Sequence, residues 1–276
     1  MAKYLTKFAD QAAYDAGTKQ YPNVSLLDDG TVIYMATRPP YQGKALLTYN
    51  DGSEYEIACN ASSTLTKAEV TGRSGYAWDS IVKAEIGACT TNLEARMFSG
   101  NTNLKSITIS DSVTSFNAYF CNGCVKLESV KIGSGLTRID TQGFDGCQNL
   151  SSVTFAESSQ LTVIGTNAFK NCRSLSSITI PSGVTSIGQY AFASASSLTN
   201  ITIPSGVTSI GIKAFTSCTS CTSITILAPT PPTLGDEYAL GFGYFPIYVH
   251  AESVEAYKAA SGWSAYKNRI QAIPTT

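Results

Sequence analysis

Residues 175–197 read LSSITIPSGVTSIGQYAFASASS, a unit of three short pieces. Ile178-Thr179-Ile180 alternates apolar and polar residues, the signature of a short strand that sends its isoleucines inward and its threonine outward. Pro181-Ser182-Gly183 is a turn, because Pro and Gly supply backbone angles that other residues resist. Val184 to Ile187 is a second extended piece. Gly188 then leads into a short segment, expected to be helical, that carries Phe192.

The unit recurs on both sides. Leu104, Leu127, Leu150, Leu175 and Leu198 open near-identical segments at spacings of 23, 23, 25 and 23 residues, with Ile81 and Cys221 one step beyond at either end. A fixed period of this length predicts stacked coils. Stacking turns each inward position into a ladder: Ile107, Val130, Val153, Ile178, Ile201 and Ile224 form one, and Phe144, Phe169, Phe192 and Phe215 another, with Phe120 one residue early. One unit cannot bury these groups alone, so stability is a sum of interfaces between neighbours. The same stacking places Thr108, Lys131, Thr154, Thr179, Thr202 and Thr225 in an outer row, to which Arg138 is assigned as a further basic member. At ~4.8 Å per strand, seven units span roughly 34 Å.

The pattern LxxITIPSGVTSIGxxAFxxCxS resembles the BspA-like leucine-rich repeat family over about residues 81–228. The ending, Pro246-Ile247-Tyr248-Val249 through Ala251 to Tyr257 and Gly262-Trp263, is similar to the C-terminal caps of that family. The resemblance implies a leucine-rich-repeat-type solenoid of short parallel strands, and non-enzymatic binding to surface proteins or glycans. It brings no catalytic residue, cofactor or metal with it.

Open sheet edges at the ends of such a stack need caps. Within residues 41–80, Ala45 to Tyr49 and Glu54 to Cys59 flank Asn50-Asp51-Gly52, a strong hairpin signal. Within residues 229–276, Pro229, Pro231 and Pro232 stop the repeat. A strand at Ile247 and a helix from Glu252 to Ser261 follow, with Val254, Tyr257, Trp263 and Ile270 closing the core and the aromatic cluster Tyr238, Phe242, Tyr244, Phe245 and Tyr248 read as part of it.

Residues 1–40 lie outside the repeat and read as a small α+β module. A short amphipathic helix (Phe8, Ala12, Ala13) precedes a hairpin of Asn23 to Leu27 and Thr31 to Met35 around Asp28-Asp29-Gly30. Forty residues are marginal for independent folding, so either a partner or self-association is expected, the latter giving a homo-oligomer. Through Tyr21-Pro22-Asn23-Val24-Ser25 this module resembles N-terminal modules in virion and fibre proteins of gut bacteriophages, which implies attachment to other virion proteins.

Composition excludes several classes of function. Nineteen basic residues against twenty acidic ones give a formal charge of −1, without the basic excess that nucleic-acid binding needs. No segment reaches the roughly 18 apolar residues of a membrane helix. The start, Met1 to Asp10, has no secretory signal. Either a signal has been removed or the chain stays where it is made.

Eight cysteines raise the question of a metal or redox site. Cys121-Asn122-Gly123-Cys124 and Cys218-Thr219-Ser220-Cys221 are CxxC pairs, but Cys124 and Cys218 stand four units apart, roughly 19 Å at the strand spacing. One zinc needs its thiolates within about 2.3 Å. Cys124, Cys147, Cys172 and Cys218 instead share one register position, filled once by Ala195, as small buried thiols would. No disulfide is expected, because Cys59 and Cys89 have no evident mates in the register. His250 is the single histidine, so a His-dependent mechanism would have to use it. Asp111, Glu128, Asp140, Asp145 and Glu157 occupy unrelated register positions and form no carboxylate pair by pattern. Three readings follow: a bacteriophage virion appendage anchored by residues 1–40, a bacterial surface or secreted adhesin, and an enzyme hidden on a solenoid.

Overall fold

The computed structural model describes residues 5–7, 24–26, 31–34, 42–72 and 76–274. The chain divides into two compact units, Met1–Tyr41 and Gln42–Thr276. In the first unit, Leu5–Lys7, Val24–Leu26 and Thr31–Tyr34 make an antiparallel sheet with Thr31–Tyr34 in the middle. The later two strands are the expected hairpin pair, Val24 opposite Tyr34. Leu5–Lys7 is an additional strand, too short for its alternation to register in the sequence. The helix expected around Phe8, Ala12 and Ala13 lies outside the described residues.

The second unit is a solenoid with two β walls and a corner of turns. The first wall carries the longer strands, Ile81–Ile86, Ser106–Ile109, Ser129–Ile132 and Ser152–Phe155, then Asn200–Ile203, Ser223–Ile226, Ile247–Val249 and Ile270–Ala272. They pair in parallel one repeat apart, so Ala84, Ile107, Val130 and Val153 fall in line, as do Ile201, Ile224, Ile247 and Ile270. The second wall is a ladder of two-residue strands that includes Arg138–Ile139, Val163–Ile164, Ser186–Ile187, Ser209–Ile210 and Thr233–Leu234. Its side chains face the first wall across a core in which most ladder members are fully buried.

The corner is built from turns where a helical segment is expected. Its amides alternate between the next coil and a turn of their own: Phe144 N donates to Ala168 O (2.9 Å), Phe169 N to Ala191 O (2.7 Å) and Phe192 N to Ala214 O (2.8 Å), while Cys147 N donates to Phe144 O and Ala168 N to Gly165 O (each 3.3 Å). Each of these coils also holds two left-handed residues, such as Gln142 and Gly146, Asn167 and Asn171, Tyr190 and Ser194, Lys213 and Ser217. Two such angles in five residues are incompatible with a right-handed helix. Phe144, Phe169, Phe192 and Phe215 stack at centroid distances of 5.5, 5.4 and 5.2 Å. The displaced Phe120 has a local cause. Cys121 takes the ring's register position, and Phe116 on the second wall stacks on Phe120 at 4.8 Å, filling the space.

At the N-terminal end, Ala45–Tyr49 and Glu54–Ile57 form the expected hairpin, and Ala45–Tyr49 runs antiparallel to Ile81–Ile86. The helix Lys67–Thr71 starts at a capping box between Thr66 and Glu69 and buries Val70. Lys44 is fully buried beneath it, donating through Nζ to Thr64 O and Glu69 Oε1, both at 2.7 Å. Burial alone would raise the Glu69 carboxyl. The bonds from Lys44, Thr66 and Asn60 outweigh it and hold the group down at about 2.

Cys59 and Cys89 form a disulfide, with Cα atoms 6.0 Å apart, which corrects the expectation of none. Ala45 lies opposite both Ile57 and Ile86, so the chain leaves both neighbouring strands at the same end and brings the two cysteines together. Their separation of 30 residues follows the antiparallel cap and not the repeat.

The left-handed corner positions give a paired test by chemical denaturation. Ser217→Gly, at φ 59°, is expected to stabilise the chain by about 1 kcal/mol, and Gly146→Ala, at φ 77°, to destabilise it by a similar amount.

Candidate binding surface

The first wall places most of the sequence-selected residues on one outer row. Thr108 stands between Glu85 and Lys131, and Lys131 stands beside Thr154. Thr202 pairs with Thr225, and Thr225 with Tyr248. Thr108, Lys131, Thr154, Thr179 and Thr202 are exposed, while Thr225 is half-buried. Arg138 is a correction: it belongs to the second wall, in register with Val163, and reaches Asp140 at 3.8 Å. It falls in the second extended piece of its unit, and the Thr row is formed by the first.

The row is not continuous. Ser152–Phe155 ends one sheet and Asn200–Ile203 begins another, and the segment 177–180 between them joins neither. This corrects the strand expected at Ile178-Thr179-Ile180. Two features of the sequence account for the break. In most coils the residue after the strand donates its amide to the coil before, as Ser110 does to Ile86 O, Gly133 to Ile109 O, Ala156 to Ile132 O and Leu227 to Ile203 O, at 2.9–3.2 Å. Pro181 and Pro204 occupy this position in the two intervening coils and have no amide to give. The 25-residue spacing from Leu150 to Leu175 also puts two extra residues into the turn around Glu157, which the short turn Pro181-Ser182-Gly183 cannot follow.

A cleft of about 530 Å³ opens at the break, lined by Val153 to Glu157 and Ser159 on one side and Thr179 to Ser182 on the other. Its floor is less covered than the rest of the ladder. Val153 and Ile180 are 8% and 6% exposed, against 1% for Val130 and 0% for Ile203 at the matching positions. Phe155 is half-buried, where Ile109, Ile132 and Ile203 are buried.

The C-terminal end departs from expectation in one respect. Phe242 and Tyr244 are exposed and do not join the cap core. Gly241, at φ 75°, and Gly243 allow the chain to swing outward here, and Phe242 packs on Tyr238 at 4.6 Å. The interior is taken by Tyr257, Trp263 and Tyr266, each with its polar atom paired: Tyr257 donates to Ala228 O (2.8 Å), Trp263 to Pro232 O (3.0 Å) and Tyr266 to Glu237 O (2.8 Å). The expected strand and helix stand at Ile247–Val249 and Val254–Ala259.

The cysteine column has a role beyond filling space, one that residue types alone do not reveal. Each thiol donates to a carbonyl of the preceding coil: Cys124 to Phe98 O (2.9 Å), and Cys147, Cys172 and Cys218 to Cys121 O, Phe144 O and Phe192 O (each 3.2 Å). Burial pushes Cys147 and Cys172 far above the usual thiol range and Cys218 to about 12, so these groups stay protonated and are poor nucleophiles. Among the described residues, no cluster of three or more His, Cys, Asp or Glu side chains could hold a metal ion. The carboxylates serve the backbone and the corner. Asp111 accepts from Ser134 N (2.6 Å), and buried Asp145 accepts from Gln142 Nε2 (3.0 Å) and Asn171 Nδ2 (3.1 Å). His250 begins the turn Ala251–Ser253, and its carbonyl accepts from Ser253 N (2.9 Å).

Stacked parallel strands at a 23-residue period, with a phenylalanine column in the corner, define a leucine-rich-repeat solenoid. The chain belongs to the BspA type leucine rich repeat region family, which matches residues 69–162 and 149–230 in six copies, together more than half of the sequence. A leucine-rich repeat protein from Bacteroides ovatus is 22% identical, with a TM-score of 0.47, over 82% of this chain and 54% of its own. The chain thus spans about half the length of that relative. A leucine rich cell surface protein from Faecalibacterium prausnitzii is 19% identical over 83% of this chain and 74% of its own, with a TM-score of 0.38. The pneumococcal vaccine antigen PcpA is 14% identical over 66% of this chain and 58% of its own, with a TM-score of 0.45. No curated protein matches the sequence. Among the described residues, no helix is long and apolar enough to cross a membrane.

Thiol labelling of the native chain checks the cysteine assignments. Iodoacetamide is expected to spare Cys121, Cys124, Cys147, Cys172 and Cys218 and to reach the half-buried Cys221. Denaturation without reductant should expose six thiols, and reduction should add Cys59 and Cys89.

Proposed function

We propose that this chain is a non-enzymatic binding protein, carried on the outside of a bacteriophage particle, that uses the first wall of its solenoid to hold a surface protein or glycan. The observation that carries the binding reading is the outer row itself. Parallel pairing at a fixed register sets Thr108, Lys131 and Thr154 side by side, and Thr202 beside Thr225, on a wall whose inward positions are committed to the core. Such a wall offers hydrogen-bonding groups at regular spacing and a rigid frame, which suits recognition. The buried, protonated thiols supply no activated nucleophile, and the family is one of repeat proteins that generally bind and do not catalyse.

The location on a virion rests on the resemblance of residues 1–40 to attachment modules. In this reading the first unit holds other virion proteins and the solenoid faces the surroundings. A bacterial surface or secreted adhesin is the second reading. The Cys59–Cys89 disulfide favours it as well, since such bonds persist in oxidising surroundings outside the cytosol. The F. prausnitzii relative, described as a cell surface protein, points the same way.

Mass spectrometry of purified phage particles from the source separates the two. The virion reading expects peptides of this chain at stoichiometric abundance with the other structural proteins. Their absence from particles, with the chain found in the bacterial surface fraction, would establish the second reading instead.

A further inference from the structure

The cleft between Ser152–Phe155 and residues 177–180 differs chemically from the rest of the row. Where the first wall is paired, neighbouring strands are joined by main-chain hydrogen bonds at the usual spacing of about 4.8 Å, which leaves no room between them, and residues 177–180 lack this pairing toward both Ser152–Phe155 and Asn200–Ile203. Here Ser152–Phe155 is paired on one side only, to Ser129–Ile132. Its other edge, and the main chain of residues 177–180 across the gap, carry donors and acceptors with no strand partner. Such an edge is a template for another extended chain.

We propose that this cleft is a docking site for an extended peptide segment of a partner protein, which enters as an added strand beside Ser152–Phe155. The proposal rests on the reading of the chain as a binding protein, but not on where the chain is displayed. Four properties of the cleft define the occupant. The unpaired main-chain groups call for a peptide backbone, because only a backbone offers donors and acceptors at the matching strand repeat. The apolar floor, half-buried Phe155 flanked by the buried Val153 and Ile180, calls for apolar side chains at alternate positions of that segment. The walls of Thr154, Ser159, Thr179 and Ser182 tolerate small polar side chains at the positions between. The charge is one-sided: Glu157 is the only ionisable residue in the lining, so a Lys or Arg in the segment is favoured over an acid. A strand of four residues spans about 13 Å, the length of the paired strands on this wall.

The fold supplies reasons for the site to persist. Pro181 and Pro204 withhold the two amides that would close the ladder, and the two extra residues in the turn around Glu157 hold its rim away from the next coil. The second wall remains paired through the same coils, from Val163–Ile164 to Ser186–Ile187 and Ser209–Ile210. The cleft therefore opens on one wall while the stack stays joined at the other.

The test uses a defined probe, a fluorescein-labelled peptide with the sequence of Leu127 to Ser134, LESVKIGS. It contains no proline, alternates Val130 and Ile132 with polar residues, carries Lys131, and copies the strand that Ser152–Phe155 already accepts on its paired edge. Fluorescence polarisation against the full chain should show saturable binding below about 1 mM, the weak end of ordinary recognition. Deleting Ser158 and Ser159 together with Pro181→Ala restores the 23-residue spacing and the missing amide, and should weaken binding at least tenfold. If that variant does not fold, Thr154→Trp, which fills the cleft from its exposed rim, should have the same effect. Glu157→Lys should weaken binding several-fold. Absence of saturable binding, or equal affinity in a folded variant with the cleft closed or filled, would overturn the proposal. Neither result bears on whether the chain is found in phage particles.

Discussion

Everything in the solenoid depends on one interaction, the main-chain hydrogen bond from one coil to the next. On both walls, and at alternate amides of the corner, an amide finds its acceptor about one repeat away, while the other corner amides close short turns within their own coil. A single coil is therefore not a stable object, and its apolar residues are buried only when neighbours supply the other half of each contact. The aromatic stack and the thiol bonds obey the same register. Phe144, Phe169, Phe192 and Phe215 align because the backbone does, and Cys147 and Cys172 can cap the carbonyls of Cys121 and Phe144 because those carbonyls arrive one coil earlier.

The same constraint explains where local departures are tolerated. Glycine, asparagine and serine share the second left-handed position of the corner, because stacking holds the backbone there whatever the side chain. The shift of Phe120 is absorbed by Phe116 without loss of the column. The prolines at 181 and 204 are of another kind. They remove the interaction itself, and the first wall parts at that point while the second wall carries the stack across.

The inward ladders, the hairpin cap and the C-terminal strand and helix were legible in the sequence, since each depends on period or on strong turn residues. The corner was not. Its apolar spacing is compatible with a helix, and only the inter-coil amide bonds and left-handed angles exclude one. The pairing of Cys59 with Cys89 is invisible to the repeat, because the antiparallel cap brings together residues that no period relates. Arg138 falls outside the threonine row because the two extended pieces of each unit belong to different walls, which the period alone does not distinguish. The cleft was present in plain sight, in a 25-residue spacing and two prolines. Its meaning rests on the donor role that the residue after the first strand has in most coils. Phe242 and Tyr244 show the converse limit, since aromatic residues near a cap are not thereby inside it.

The claim that coil-to-coil amide bonds define the solenoid, and fail at one place on one wall, is tested most directly by hydrogen–deuterium exchange on the free chain. Amides bonded between coils exchange only when the stack opens, and unpaired ones exchange without that opening. The account expects strong protection across Ser129–Ile132, Val163–Ile164, Ser186–Ile187 and Ser223–Ile226, with rapid exchange confined to residues 177–180 between the two protected blocks of the first wall. Uniform protection running from Ser152–Phe155 through 177–180 to Asn200–Ile203 would contradict it.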